Sequence, residues 1–160
     1  MVPPASPVVK INFDVACRTS FAVIAAVCRN HEGEILQVRT SSVPIVQPLW
    51  SEIKAAHMAC IMADEGSWQS VELEGDSLNA YTAITHSGKD MKGYLVADCR
   101  ACHDYLALYP NWKLSWISRK LNCLAHKIVK WAVQTHRVGH IDLADIPSVI
   151  LNCDWLYKPP

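Results

Sequence analysis

Three acidic residues fall where strands would meet helices, and carboxylates in such places can converge on one hard cation. Asp14 shares the polar side of an alternating stretch with Lys10 and Asn12, opposite Val9, Ile11 and Phe13. Asp76 ends a second alternating stretch, Val71 to Glu74, and is flanked by Gly75 and Ser77. Glu52 falls in the first turn of a helical pattern, beside its apolar stripe. Each has an ordinary explanation alone: Asp76 as a helix N-cap, Glu52 as a partner of the helix dipole, Asp14 as a strand-end charge. As a set they suit Mg²⁺, which takes oxygen ligands, and two such ions can clamp both oxygens of an in-line phosphoryl displacement.

A basic segment stands apart from this acidic set. Between Tyr105 and Ile141 there are six Lys or Arg (Lys113, Arg119, Lys120, Lys127, Lys130, Arg137) and no Asp or Glu, while the remainder carries 9 basic and 15 acidic residues. That separation suits a protein holding metal in one place and a polyanion in another; a solvated basic helix is the plainer alternative.

Other motifs carry less. Cys99-Arg100-Ala101-Cys102-His103 matches the haem c attachment pattern, but both cysteines lie on the apolar stripe of an expected helix and read as core. His57 and Cys60 lack the second pair that would complete a zinc finger. A Ser-His-Asp hydrolase would need a strand–turn–helix nucleophile motif that is missing here. The six tryptophans read mostly as core, with Trp50 as a candidate groove rim.

The elements that must position these groups follow from periodicity. Val8 to Asp14 alternates, and Phe21 to Cys28 is a continuous apolar run suited to a central strand. A turn at Arg29 to Gly33 leads into a third strand, Glu34 to Thr40. Leu49, Ile53, Ala56, Cys60 and Ala63 mark a helix closed by Gly66, and the fourth strand ends at Gly75. A short helix spans Leu78 to Thr85, and a longer one runs from Gly93 to near Tyr109. Trp112 to Ser118 reads as a fifth strand, with Leu114 and Trp116 on its apolar side. Asn122 is placed to cap a last helix with the stripe Leu124, Ile128, Trp131 and Thr135; beyond Gly139 no firm period is visible. Helices interleaved with the later strands imply an α/β fold with a mixed sheet packed on both faces.

At 160 residues the chain reads as one domain, and 51% hydrophobic against 19% charged residues argues against disorder. The apolar run from Phe21 is far short of the ~18–20 residues that cross a bilayer. No secretory signal is read at the start. Seven cysteines, an odd number, are therefore expected as reduced thiols, and the location as nuclear or cytoplasmic.

Five blocks then fall in a telling order. They are Lys10-Ile11-Asn12-Phe13-Asp14, Arg29 to Glu34, Ser51-Glu52-Ile53-Lys54-Ala55, Glu74-Gly75-Asp76-Ser77, and Trp116 to Lys127 with its Arg119, Asn122, Ala125 and His126. Together they resemble the successive motifs of the ribonuclease H-like superfamily, most closely the reverse-transcriptase-like RNase H domains abundant in plant genomes. Ile146-Pro147-Ser148 looks like the C-terminal extension of that branch.

The resemblance implies a five-stranded mixed sheet of order 3-2-1-4-5, with helices on both faces. Residues 1–7 read as a flexible leader or the cut edge of a longer protein, and they are followed by an expected RNase H-like domain (8–140) and C-terminal extension (141–160). The resemblance further implies a monomer that cleaves the RNA strand of RNA–DNA hybrids by two-metal-ion hydrolysis, with Mg²⁺ or Mn²⁺. Asp14 would bridge two metals, Glu52 and Asp76 would hold one each, and His126 would stand at the fourth catalytic position. Arg119, Lys120, Asn122 and Lys127 would contact nucleic acid. Two positions depart from the family pattern. Val15 replaces the glycine common after the first Asp, and His126 stands where Asp is frequent. These departures leave open a binding module with weak or no catalysis, and an interaction domain without a nucleic acid partner.

Overall fold

The computed structural model describes residues 7–45, 47–86, 91 and 93–153. The expected leader, apart from Pro7, and residues 154–160 of the extension lie outside the described residues. Strands β1 (Val9–Cys17), β2 (Phe21–Arg29) and β3 (Ile35–Pro44) form a meander, followed by helix α1 (Pro48–Glu65). Then come β4 (Val71–Gly75), α2 (Leu78–Thr85), α3 (Gly93–Leu108) and β5 (Trp112–Trp116). A 3-10 turn at Arg119–Asn122 leads into α4 (Cys123–Thr135), and a three-residue β6 (Gly139–Ile141) and a short α5 (Ser148–Leu151) complete the order.

The sheet has six strands in the order β5-β4-β1-β2-β3-β6. The five expected strands stand in the expected order, and β2 is antiparallel to both neighbours. The correction is β6, which pairs antiparallel with β3 through Val38–Ile141, Arg39–His140 and Thr40–Gly139. It is too short to show a period and begins at Gly139, whose φ of +98° suits glycine. The Thr40 hydroxyl fixes its approach by donating to the Arg137 carbonyl at 2.8 Å. β6 thereby covers part of an otherwise open edge.

Two layers of helix bury the two sheet faces. Val9, Ile11, Phe13 and Val15 of β1, with Ala22, Ile24, Ala26 and Cys28 of β2, pack in one core with residues of α1, α2 and α3. Ala16, Val23, Ala25, Val27 and Val38 pack in a second core with Leu124, Ala125, Ile128, Val129, Trp131 and Ala132 of α4. β2 is buried on both faces, which accounts for its unbroken apolar run. Thr135, expected on the α4 stripe, is exposed instead.

β1 also differs from expectation. Its polar side is covered by α4, leaving Lys10, Asn12 and Asp14 only 6%, 0% and 1% exposed. Buried polar groups need partners, and all but Asn12 Oδ1 among these find them, mostly laterally. Lys10 Nζ lies 2.8 Å from Glu74 Oε1 and 3.3 Å from Glu72 Oε2. Asn12 Nδ2 donates to Glu74 Oε2 and Asn122 Oδ1, both at 3.1 Å. A polar ladder thus runs along β1 and ends at Asp14. Among the described residues no helix is long and apolar enough to cross a membrane.

Candidate metal and nucleic-acid site

The parallel pairing of β1 with β4 sets Phe13 opposite Gly75, so Asp14 and Asp76 leave neighbouring strands at the same level. Gly75 is required for this: a Cβ there would run into the Phe13 ring. Asp76 does not cap α2, because Ser77 Oγ accepts from the Ala80 N–H at 3.2 Å and takes that role. The Asp76 carboxylate is left for other work. Glu52 is the fifth residue of α1, one turn in rather than in the first turn, and α1 brings it to the same end of the sheet. One ligand oxygen from each of Asp14, Glu52 and Asp76 lies within 4.8 Å of the others. Mg²⁺ holds its oxygens at about 2.0–2.1 Å, so ligand oxygens on opposite sides of one ion stand about 4 Å apart, close to the spread found here.

The electrostatics show an uncompensated cluster. Burial, and then repulsion from Asp14 and Asp76, pushes the Glu52 carboxyl up to about 8, with Arg119 opposing. Asp14 is raised too, first by burial and then by Asp76, against hydrogen bonds from the Val15 N–H and from His126. Asp76 Oδ2 is buried without a hydrogen-bond partner, and the Arg119 guanidinium, 3.7 Å away on a largely exposed side chain, screens it only weakly. Crowded oxygen donors of one sign are what a hard divalent ion neutralises, so the residues fit a metal.

Glu52 also links stability to pH. Its carboxyl titrates near 8 in the fold and near 4.5 when unperturbed, so the unfolded chain loses this proton first. Between those values the folded state binds more protons, and metal-free stability falls as pH rises. Glu52→Gln should therefore raise the metal-free Tm at pH 7 by about 2–8 °C, with the gain vanishing at pH 4. Thermal melts in chelator at the two pH values check this; an equal gain at both would assign the effect to packing.

His126, the fourth residue of α4, places Nδ1 2.8 Å from Asp14 Oδ2. The fourth expected residue therefore touches the first. Val15 sits in the α1-side core, and its main chain steadies Asp14. Arg119, Lys120 and Lys127 are exposed on the segment that enters α4. Asn122 corrects the expectation. It is fully buried, it makes no side-chain cap, and its Nδ2 donates to the Phe13 carbonyl at 2.9 Å. It pins the start of α4 to β1.

Sequence reasoning missed that Lys10, Asn12 and Glu74 form a buried polar ladder on the side of β1 that carries Asp14, although the i, i+2, i+4 spacing of Lys10, Asn12 and Asp14 was a visible signal. It also placed Trp116 in the core, where the structure leaves it 47% exposed. The other motifs resolve as structure. Cys99 and Cys102 are buried in the core, and all seven cysteines are free thiols. His57 Nδ1 lies 2.9 Å from Asp98 Oδ1, and Trp50 packs against the core with Lys54 Nζ 5.2 Å from its ring centre. Among the described residues the three carboxylates form the single candidate metal cluster.

Comparison with known proteins agrees with this layout. The model of the reverse transcriptase-like family matches residues 12–132. No curated protein sequence matches. Among solved structures, the chain is similar to RNase H1 of the halophilic archaeon Halobacterium salinarum, with a TM-score of 0.72 and 20% identity over 80% of this chain and 98% of that one. It is similar to LC11-RNase H1, a compost metagenome protein solved in complex with an RNA/DNA hybrid, with a TM-score of 0.68 and 18% identity over 80% and 98%. The N-terminal RNase H domain of Rv2228c from Mycobacterium tuberculosis aligns with a TM-score of 0.68 and 15% identity over 81% and 99%.

Proposed function

Since the chain belongs to the reverse transcriptase-like family of the RNase H-like superfamily, we propose that it is a divalent-metal-dependent nuclease acting on the RNA strand of RNA–DNA hybrids. The observation that carries this reading is the Asp14–Glu52–Asp76 cluster, with the Arg119 guanidinium beside Asp76, and Lys120 and Lys127 exposed on the same segment of chain. The fold shared with a protein solved on an RNA/DNA hybrid supports the substrate class.

Mg²⁺, or Mn²⁺ in its place, would be held by Asp14, Glu52 and Asp76 and would supply charge neutralisation at the phosphate and a more acidic attacking water. The protein's own groups do the rest. The Asn12–Asn122 bond and the Phe13 carbonyl contact hold β1 and α4 in register, which fixes Asp14. The basic side chains attract the phosphate backbone and set its register. His126 holds the Asp14 carboxylate in one orientation through its Nδ1 contact.

A gel assay on labelled hybrid with Mg²⁺, Mn²⁺ or EDTA, beside Asp76→Asn, tests the proposal. Cleavage by the parent alone, and only with metal, supports it. The imidazole at the fourth position favours a second reading, a module that binds without cutting. That reading predicts hybrid binding, no cleavage in either metal, and an affinity that falls steeply with salt as phosphate contacts require. Absence of both binding and cleavage would leave an interaction domain.

His126 gives a sharper test. Imidazole is a poorer Mg²⁺ ligand than carboxylate and a better match to Mn²⁺, so the parent should cleave better in Mn²⁺. His126→Asp should lower the metal concentration for half-maximal cleavage, whereas His126→Ala should not. Unchanged metal dependence in both variants would make His126 a bystander.

A further inference from the structure

Building on the nuclease reading, we infer that Trp116 is a contact platform for the nucleotide beside the site, its ring packing against the flat face of a sugar or base. β5 pairs with β4 so that Trp116 lies opposite Gly75, the residue that precedes Asp76. The Trp116 indole N–H donates to the Asp76 carbonyl at 3.1 Å, which anchors the ring to a residue of the carboxylate cluster. The residue is nonetheless 47% exposed, whereas Trp112 at the other end of the same short strand is only 5% exposed. Leu78, two residues beyond Asp76, is 55% exposed as well. Large apolar side chains are thus left in water on both elements next to Asp76, α2 and β5. Three residues past Trp116, the Arg119 side chain is 70% exposed and offers a cation for a phosphate.

This combination suits a nucleotide strand. A rigid ring fixed by its N–H presents an apolar face with little conformational entropy left to lose. Nucleotides offer a flat partner whatever their sequence, because every base has a π-face and A-like grooves display sugars. The adjacent guanidinium supplies the charge that the ring lacks. Trp116 accordingly acts on affinity and register at the site, not on the bond being broken.

The test compares the full chain with Trp116→Phe and Trp116→Ala. Anisotropy of end-labelled hybrid and of single-stranded RNA, both in EDTA so that nothing is cut, reads binding alone. Trp116→Ala should weaken binding by about tenfold, as loss of one stacked contact does, with the salt slope unchanged because no phosphate contact is removed. Trp116→Phe should recover most of the affinity. In cleavage assays the alanine loss should appear mainly in KM. A larger effect on hybrid identifies a sugar in the groove as the partner; a larger effect on single strands identifies a stacked base. The tryptophan emission of the parent minus that of Trp116→Phe should be quenched by hybrid, and this decides the matter even if Trp116→Ala does not fold. If the parent binds hybrid but the difference emission is unchanged and Trp116→Ala binds equally well, the platform is refuted and the nuclease reading stands. If the parent neither binds nor cleaves, both fail.

Discussion

Asp14→Asn is expected to lower hybrid cleavage by about 10³-fold or more while the protein stays folded. Asp14 is the one carboxylate that joins every part of the site. It shares the cluster with Glu52 and Asp76, accepts the His126 contact at 2.8 Å, and terminates the buried polar ladder of β1. Asparagine keeps an acceptor oxygen for His126 and nearly the same volume, so packing at this buried position is preserved. It removes a charge that burial and Asp76 disfavour in the metal-free state, and the metal-free Tm should hold or rise. The measurements are kcat at saturating metal, Tm in EDTA, and metal affinity by calorimetry. Loss of activity together with a falling Tm would mean that Asp14 is a structural residue. Retained cleavage would remove it from the site.

Asn122→Ala is expected to be the most destabilising of these substitutions, at about 2–4 kcal/mol, or a fall in Tm of roughly 4–16 °C. The side chain is fully buried and bonds both the Phe13 carbonyl and Asn12 Nδ2. Truncation leaves the carbonyl without this donor and leaves a small void at the join of β1 and α4. Arg119 and His126 stand three and four residues from Asn122 in the chain and reach Asp76 and Asp14, so cleavage should fall along with stability. Asn12→Ala and the double variant complete a cycle, and a coupling above about 0.5 kcal/mol is expected between the two amides. Additive effects would show that the amides act separately.

The acidic residues were legible because their surroundings are local. Asp14 falls within an alternating strand and Asp76 directly after one, Gly75 makes room for the Phe13 ring, and a helical stripe places Glu52 near its N-terminus. What stayed hidden depends on partners far away in the chain. Lys10, Asn12 and Asp14 alternate with apolar residues as a solvent-facing strand would, and only α4, more than a hundred residues later, buries them. Asn122 has the type and position of a helix cap, yet its partners are Asn12 and Phe13. β6 has three residues and exists because β3 offers an open edge. Trp116 follows the apolar alternation of β5, but β5 is the outermost strand and its end is uncovered.

The bonds between Asn12 and Asn122 and between Asp14 and His126 join residues 110 and 112 positions apart. At ribosomal speeds of about 5–20 residues per second, roughly 5–20 s separate the emergence of their two ends. Asp14, Glu52 and Asp76 have all been made by residue 76, on strands and a helix that share the α1-side core. The basic segment and α4 come later. Synthesis thus delivers the three carboxylates first and the basic segment last, and the support that Asn122 and His126 lend to β1 and Asp14 arrives only with α4.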